Sequence, residues 1–239
     1  MAWRVTAARV AVLASGGGSN LGALFAHLDR IGTRARWTIA LVASDRADAG
    51  ALARATTRGA PTAHIARPLD AVAISALLEE HTVDLVVLAG YLRLVPSPAV
   101  RAFRGRILNV HPAMLPSFGG QGMYGRRVHE AVLQSGTRLS GATVHFVDEA
   151  FDRGPIIAQW PVPVLHGDTV DALAGRVLGA EHLLLPAVVD AVASGNAVLD
   201  DAGSVRVDDR SPWLAPAFTA SAAPHFGMVS SATPVITLS

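Results

Sequence analysis

The chain reads as an α/β protein built on a doubly wound, mostly parallel sheet. Three observations predict this. Between Arg9 and Gly195, short apolar runs alternate with longer amphipathic ones, the rhythm of βα units. The short runs are rich in the β-branched residues that suit a pleated sheet. Finally, 239 residues, 51% hydrophobic and 16% charged, supply one large core rather than two equal domains. The expected organisation is a single domain over 1–210 followed by a mobile tail over 211–239, where Pro, Ser and Ala dominate without periodicity.

Strands are predicted at 10–14, 37–44, 62–65, 84–89, 107–111, 142–147 and 156–162. Helices at 19–28, 47–58, 69–81 and 97–103 separate the first five, the last with Ser97 as cap and Pro98 in the first turn. No helix joins the last two strands, so the sheet should end in an antiparallel pair. A long C-terminal helix starts at Asp168 or Thr169, with Val170, Leu173, Val177, Leu184 and Val188 at helical spacing, and Pro186 should kink or split it. A small hairpin over 198–207 turns at Asp201-Ala202-Gly203.

Twenty basic residues against 19 acidic give a net charge of +1, which argues against nucleic acid or an anionic membrane as partner. All 20 basic residues are arginine, so a lysine Schiff base and a phosphate-loop lysine are excluded. There is no cysteine, hence no disulfide, thiol catalysis or cysteine-bound zinc. The histidines show no zinc-ligand spacing, so no metal is expected. The longest strand-like apolar stretch is interrupted by Arg93, and the N-terminus lacks a signal-peptide layout; a cytoplasmic protein without a membrane span is expected.

The first loop, Ser15-Gly16-Gly17-Gly18-Ser19-Asn20, follows a strand and opens a helix, where free N–H groups and the helix dipole favour a phosphate. Leu21 breaks a dinucleotide fingerprint. The plain alternative is a helix capped by Ser19, with glycines serving only the turn. Asn109 and His111 end the fifth strand, and period-two alternation puts them on one face, at the C-terminal strand ends where such folds bind ligands. They could stabilise an oxyanion, or merely satisfy backbone groups before Pro112. Asp148, Glu149 and Asp152 crowd the following acidic loop, and a carboxylate there would raise the pKa of an imidazole and orient it. Sequence distance does not choose which one meets His111. Glu181 lies on or beside the apolar face of the long helix and needs a partner, either a substrate group or an arginine such as Arg176.

Taken together, several stretches resemble the phosphoribosylglycinamide formyltransferase family, folate-dependent enzymes of purine synthesis. They are Leu13–Leu21, Leu88–Val95, Leu108–Phe118, Gly141–Val147, Asp152–Ile157 and Glu181-His182, in the family's order over about 9–195. The resemblance implies a Rossmann-like formyltransferase fold with a phosphate-binding N-terminal half and a folate-binding, catalytic C-terminal half. It implies that Gly18, Ser19 and Asn20 hold the ribonucleotide phosphate and that Glu181 contacts the glycinamide. The folate would lie against Leu92, Arg93, Leu94 and Val95, near Asn109 and Asp148, with Arg67 aligned to an arginine near the folate tail. Asn109, His111 and Asp152 match the catalytic residues. The implied reaction is direct formyl transfer from 10-formyltetrahydrofolate, a cosubstrate, to the glycyl amine. Asn109 and protonated His111 would stabilise the oxyanion, and Asp152 would keep His111 charged. The partners are then small molecules, and the chain a monomer or homodimer.

The glycine-rich stretch 119–125 departs from many relatives. Three rival readings remain. A formyltetrahydrofolate deformylase carries an N-terminal regulatory domain for which a first strand near Val10 leaves no room. A methionyl-tRNA formyltransferase should have a basic C-terminal domain, whereas 196–239 holds only Arg206 and Arg210 as basic side chains. A non-catalytic folate or nucleotide sensor is opposed by the intact Asn109, His111 and Asp152.

Overall fold

The C-terminal ends of five parallel strands line up in one row, and that row carries the chemistry of the molecule. In the computed structural model, which describes residues 7–65 and 71–208, seven strands form one sheet in the order β3-β2-β1-β4-β5-β6-β7. They are β1 (Ala8–Leu13), β2 (Trp37–Ser44), β3 (Thr62–His64), β4 (Leu85–Leu88), β5 (Ile107–His111), β6 (Leu139–Phe146) and β7 (Ile156–Pro163). All pairs from β3 through β5 are parallel. The expected antiparallel pair is β6 with β7, and β6 also runs antiparallel to β5. In register, Ala43, Leu13, Leu88, Asn109 and His145 lie side by side across β2, β1, β4, β5 and β6.

The central strands are buried on both faces: Val10, Val12, Leu85 and Val87 are fully enclosed, which is why they read as continuous apolar runs rather than alternating ones. Helices α1 (Ser19–Ile31), α2 (Gly50–Thr57), α3 (Ala71–Glu80) and α4 (Ser97–Ala102) follow the first, second, third and fourth strands. The reversal of strand order falls between β1 and β4, and such a switch point opens a crevice at the C-terminal strand ends.

Four features differ from the sequence expectation. Helix α5 (Arg126–Ser135) joins β5 to β6 where none was foreseen. Only Val128, His129 and Val132 of it are buried, and it opens on Gly125 without a capping side chain, so both periodicity and start signal are weak. Helix α4 takes Pro96 as its N-cap and Ser97 as its first residue, with no side-chain cap. Helix α6 (Val170–Ala193) runs unbroken through Pro186. Pro186 and its neighbours Leu184, Leu185, Val188 and Val189 are all buried, so tertiary packing outweighs the lost helical hydrogen bond. By length and hydropathy α6 could cross a membrane, which the sequence reading overlooked, yet half of its most apolar window is buried inside the protein, as in a core helix.

The start of α6 is as predicted: the Thr169 side chain accepts from the Ala172 amide at 3.1 Å. The small hairpin is present as β8 (Ala197–Leu199) and β9 (Val205–Val207). The tail expected over 211–239, residues 69–70 of the predicted third helix, and Arg67 lie outside the described residues.

Candidate active site

A cavity of about 680 Å³ lies over the switch point. Its walls come from the glycine loop after β1, the segment 88–95 after β4, the end of β5, the loops 120–127 and 150–152, and one face of α6.

The glycine loop is shaped by a left-handed residue. Gly18 (φ 74°) is the N-cap of α1, and Ser19 is the first helical residue with no capping hydrogen bond, so the Ser19-cap alternative fails. A Cβ on Gly18 would sit 2.8 Å from Ala51 Cα, so both backbone angle and space demand glycine. With no side chain covering it, the amide end of α1 remains available to an anion. The Arg54 Nε donates to the Gly17 carbonyl at 2.7 Å and steadies the loop from outside.

Asn20 and Glu181 meet across 161 residues: the Asn20 Nδ2 donates to Glu181 Oε2 at 2.6 Å. The expected arginine partner is not there, because Arg176 forms a two-pronged bond with Asp168 at 2.8 Å. Burial pushes the Glu181 carboxyl above its usual value, against the lowering by Asn20. Asn20 Oδ1 is buried with no hydrogen-bond partner, and Glu181 lines the cavity. The pair therefore presents acceptors to a donor-rich ligand group.

Asn109, His111 and Asp152 come together as expected. Asp152 Oδ2 lies 3.5 Å from His111 Nδ1, and this settles which acidic residue meets the imidazole. Glu149 instead pairs with Arg101, and Asp148 accepts from the Ala150 amide at 3.0 Å and does not line the cavity, so its expected folate contact is not supported. Asp152 adopts φ 55°, a left-handed conformation that aspartate tolerates, and this bend turns its carboxylate inward. It also accepts from the Gly120 amide at 2.9 Å. The Gly119 and Gly154 sites leave no room for a side chain: a Cβ at Gly154 would lie 1.8 Å from the Phe146 carbonyl oxygen.

Burial tends to raise the Asp152 carboxyl, but the neighbouring His145 and His111 imidazoles and the Gly120 amide hold it below its usual value. For His111 the balance goes the other way. Burial lowers its affinity for a proton more than Asp152 and the Phe118 carbonyl raise it, so the ring is held below its ordinary value. The expectation that Asp152 keeps His111 charged at rest is thereby corrected: desolvation outweighs the carboxylate. His111 Nε2 donates to the Phe118 carbonyl at 2.8 Å, leaving Nδ1 of the neutral ring unprotonated.

His145 fixes Asn109. Its Nδ1 lies 2.7 Å from the Phe146 carbonyl, which can only accept, so Nε2 of the neutral ring is an acceptor. The Asn109 Nδ2 lies 3.1 Å from that nitrogen and 3.2 Å from Asp152 Oδ1, which engages both amide hydrogens. In the segment after β4, Leu92 and Leu94 are about half exposed in the cavity wall and Val95 is buried, an apolar surface fit for a flat ring. His129 on the unforeseen α5 also lines the cavity, with Nδ1 buried and unpartnered. No sequence motif pointed to it. Among the described residues there is no cluster of potential metal ligands.

The family description "Formyl transferase" matches residues 8–189, which contain every one of these elements except the end of α6 and the hairpin. The chain belongs to the formyl transferase family. Within it, the chain is 44% identical over 191 residues to the chloroplastic phosphoribosylglycinamide formyltransferase of Arabidopsis thaliana, covering 77% of this chain and 65% of that protein. It therefore spans slightly less than two thirds of that relative. The crystal structure of glycinamide ribonucleotide transformylase 1 from Symbiobacterium toebii superposes with a TM-score of 0.78 at 40% identity, over 86% of this chain and 96% of that one. A formyltetrahydrofolate deformylase from Pseudomonas syringae superposes with a TM-score of 0.75 at 27% identity, over 86% of this chain and 67% of that one. As a formyl transferase, the chain has its glycine loop and the Asn109, His111 and Asp152 group lining one crevice.

Proposed function

We propose that this formyl transferase moves the formyl group of 10-formyltetrahydrofolate onto the glycyl amine of phosphoribosylglycinamide, a step of purine synthesis. The observation that carries the reading is one cavity lined both by the Asn109, His111 and Asp152 group and by an uncapped helix terminus with the Asn20–Glu181 pair. Such a shared lining suits a phosphorylated amine and a formyl donor held together.

In this reading Gly18, Ser19 and Asn20 hold the phosphate and Glu181 accepts from the glycinamide. The apolar wall of Leu92, Leu94 and Val95 receives the donor's ring, with Arg93 at its edge. The glycyl nitrogen bonds to the formyl carbon and loses a proton. His111, neutral at rest, accepts that proton, and Asp152 then stabilises the imidazolium. Asn109 donates to the developing oxyanion by giving up the longer of its two hydrogen bonds, the one to Asp152, while His145 keeps the amide oriented. As the bond from carbon to the folate N10 breaks, His111 returns a proton to that nitrogen. No enzyme nucleophile is required.

Consumption of 10-formyltetrahydrofolate, followed by absorbance with and without the ribonucleotide, tests the reading. Consumption that requires the ribonucleotide supports it. Consumption without it indicates the hydrolytic reaction, and none under either condition overturns the proposal.

A further inference from the structure

Asp45, at the end of β2, is a carboxylate that no motif singled out and the transfer reaction above does not use. Its side chain is 5% exposed, and burying a carboxylate is costly unless it is paired. Each of its two oxygens has a partner. Ser15 Oγ, at the start of the glycine loop, donates to Asp45 Oδ1 at 2.7 Å. Arg93 Nε donates to Asp45 Oδ2 at 3.1 Å. Ser15 closes the circuit: its Oγ accepts the Leu92 amide at 3.0 Å, and its own amide donates to the Gly90 carbonyl at 3.0 Å. Burial alone would push the Asp45 carboxyl up, but the hydrogen bonds from Ser15 and Arg93 outweigh it and hold it below its usual value. The buried Tyr91 hydroxyl behind it is pushed up to about 12, by burial first and then by the Asp45 charge.

The geometry of Arg93 gives this cluster a consequence. Its guanidinium is tethered through Nε, and its side chain is 42% exposed where it lines the cavity. Among the described residues no hydrogen bond from its two terminal nitrogens to protein is found, so the fork is aimed but unspent.

We propose that Asp45 is a positioning residue: it holds Arg93 so that the terminal nitrogens meet an anionic group of the formyl donor. The inference rests on the donor reading above. An Asp at this place acts through Arg93, and its removal should be felt in donor binding rather than in acceptor binding.

A double-mutant cycle tests it. In Asp45→Asn, which preserves shape and removes the charge, the KM for 10-formyltetrahydrofolate should rise about tenfold, while the KM for the ribonucleotide changes less than twofold. In an Arg93→Gln background, Asp45→Asn should add no further rise. With a donor that lacks the glutamate tail, the Asp45→Asn effect should disappear. An unchanged donor KM, a full further rise in the Arg93→Gln background, or the same rise with the tail-less donor overturns the proposal. If Asp45→Asn fails to fold by circular dichroism, Arg93→Gln alone decides: it should raise the donor KM about tenfold, and an unchanged value overturns the inference. The wild-type enzyme failing to use the donor at all would instead count against the proposed reaction.

Discussion

His111 sits where burial and a carboxylate pull its proton affinity in opposite directions, and burial wins. A neutral ring is what the base of the proposed reaction needs, so kcat/KM should fall on the acid side as pH drops below 6.5 and the ring takes up a proton. Asp152 raises that affinity, so Asp152→Asn should move the acid limb to lower pH as well as lower the rate by about a hundredfold or more. An acid limb that does not move in Asp152→Asn would separate the two residues. The same shift bears on stability. The folded ring binds a proton less readily than the unfolded one, so stability falls as pH drops below the unfolded value of 6.5. In the proposed reaction Asn109→Ala removes an oxyanion donor and should cost about two to three orders of magnitude in kcat while the thermal transition shifts little; near-normal turnover would remove Asn109 from the chemistry. Asn109 and His111 could be read from the sequence because strand alternation alone puts them on one face. The meeting of His111 with Asp152 could not, since it depends on a left-handed bend at Asp152 and on close packing at Gly119 and Gly154. His145 as the partner of Asn109, and Asp45 as the partner of Ser15 and Arg93, were hidden for the same reason: both follow from sheet register, not from local spacing.

At the scale of elements, the parallel strands were legible because burial on both faces makes them unbroken β-branched runs. Helix α5 was not, because three buried residues and a glycine start leave almost no periodic signal. Pro186 misled for the opposite reason, a strong local rule overridden by packing along the whole of α6. Two element-level outcomes are expected. Gly18→Ala places a Cβ against Ala51 Cα in a left-handed position, and should raise the KM for the ribonucleotide more than that for the donor; equal effects on both would deny the loop its phosphate role. Asp168→Asn breaks the bond with Arg176 that anchors the start of α6, and should lower stability by about 1 kcal/mol in urea unfolding at neutral pH. Arg176 and the Leu165 amide hold the Asp168 carboxyl down at about 2, so this contribution is present above pH 3.8 and lost as pH falls toward 2. The difference between wild type and Asp168→Asn should therefore shrink as pH falls through about 2, and a difference as large at pH 2 as at neutral pH would contradict the assignment.

Across the whole molecule, the order of strands explains why residues from 16 to 181 share one cavity. The chain winds outward from β1 to β3, returns to β4 beside β1, and then proceeds to β7, so the glycine loop, the 88–95 segment and the end of β5 open onto one crevice. Helix α6 crosses back from the far end of the sequence to bring Glu181 to Asn20. In the proposed reaction this one crevice receives both the acceptor and the formyl donor, which predicts transfer between them rather than loss of the formyl group to water. The direct measurement is the fate of a carbon-13 formyl label on 10-formyltetrahydrofolate, followed by NMR with the ribonucleotide present. The account predicts that the label appears as the formamide of the ribonucleotide in step with donor consumption. Its appearance as formate instead would contradict it.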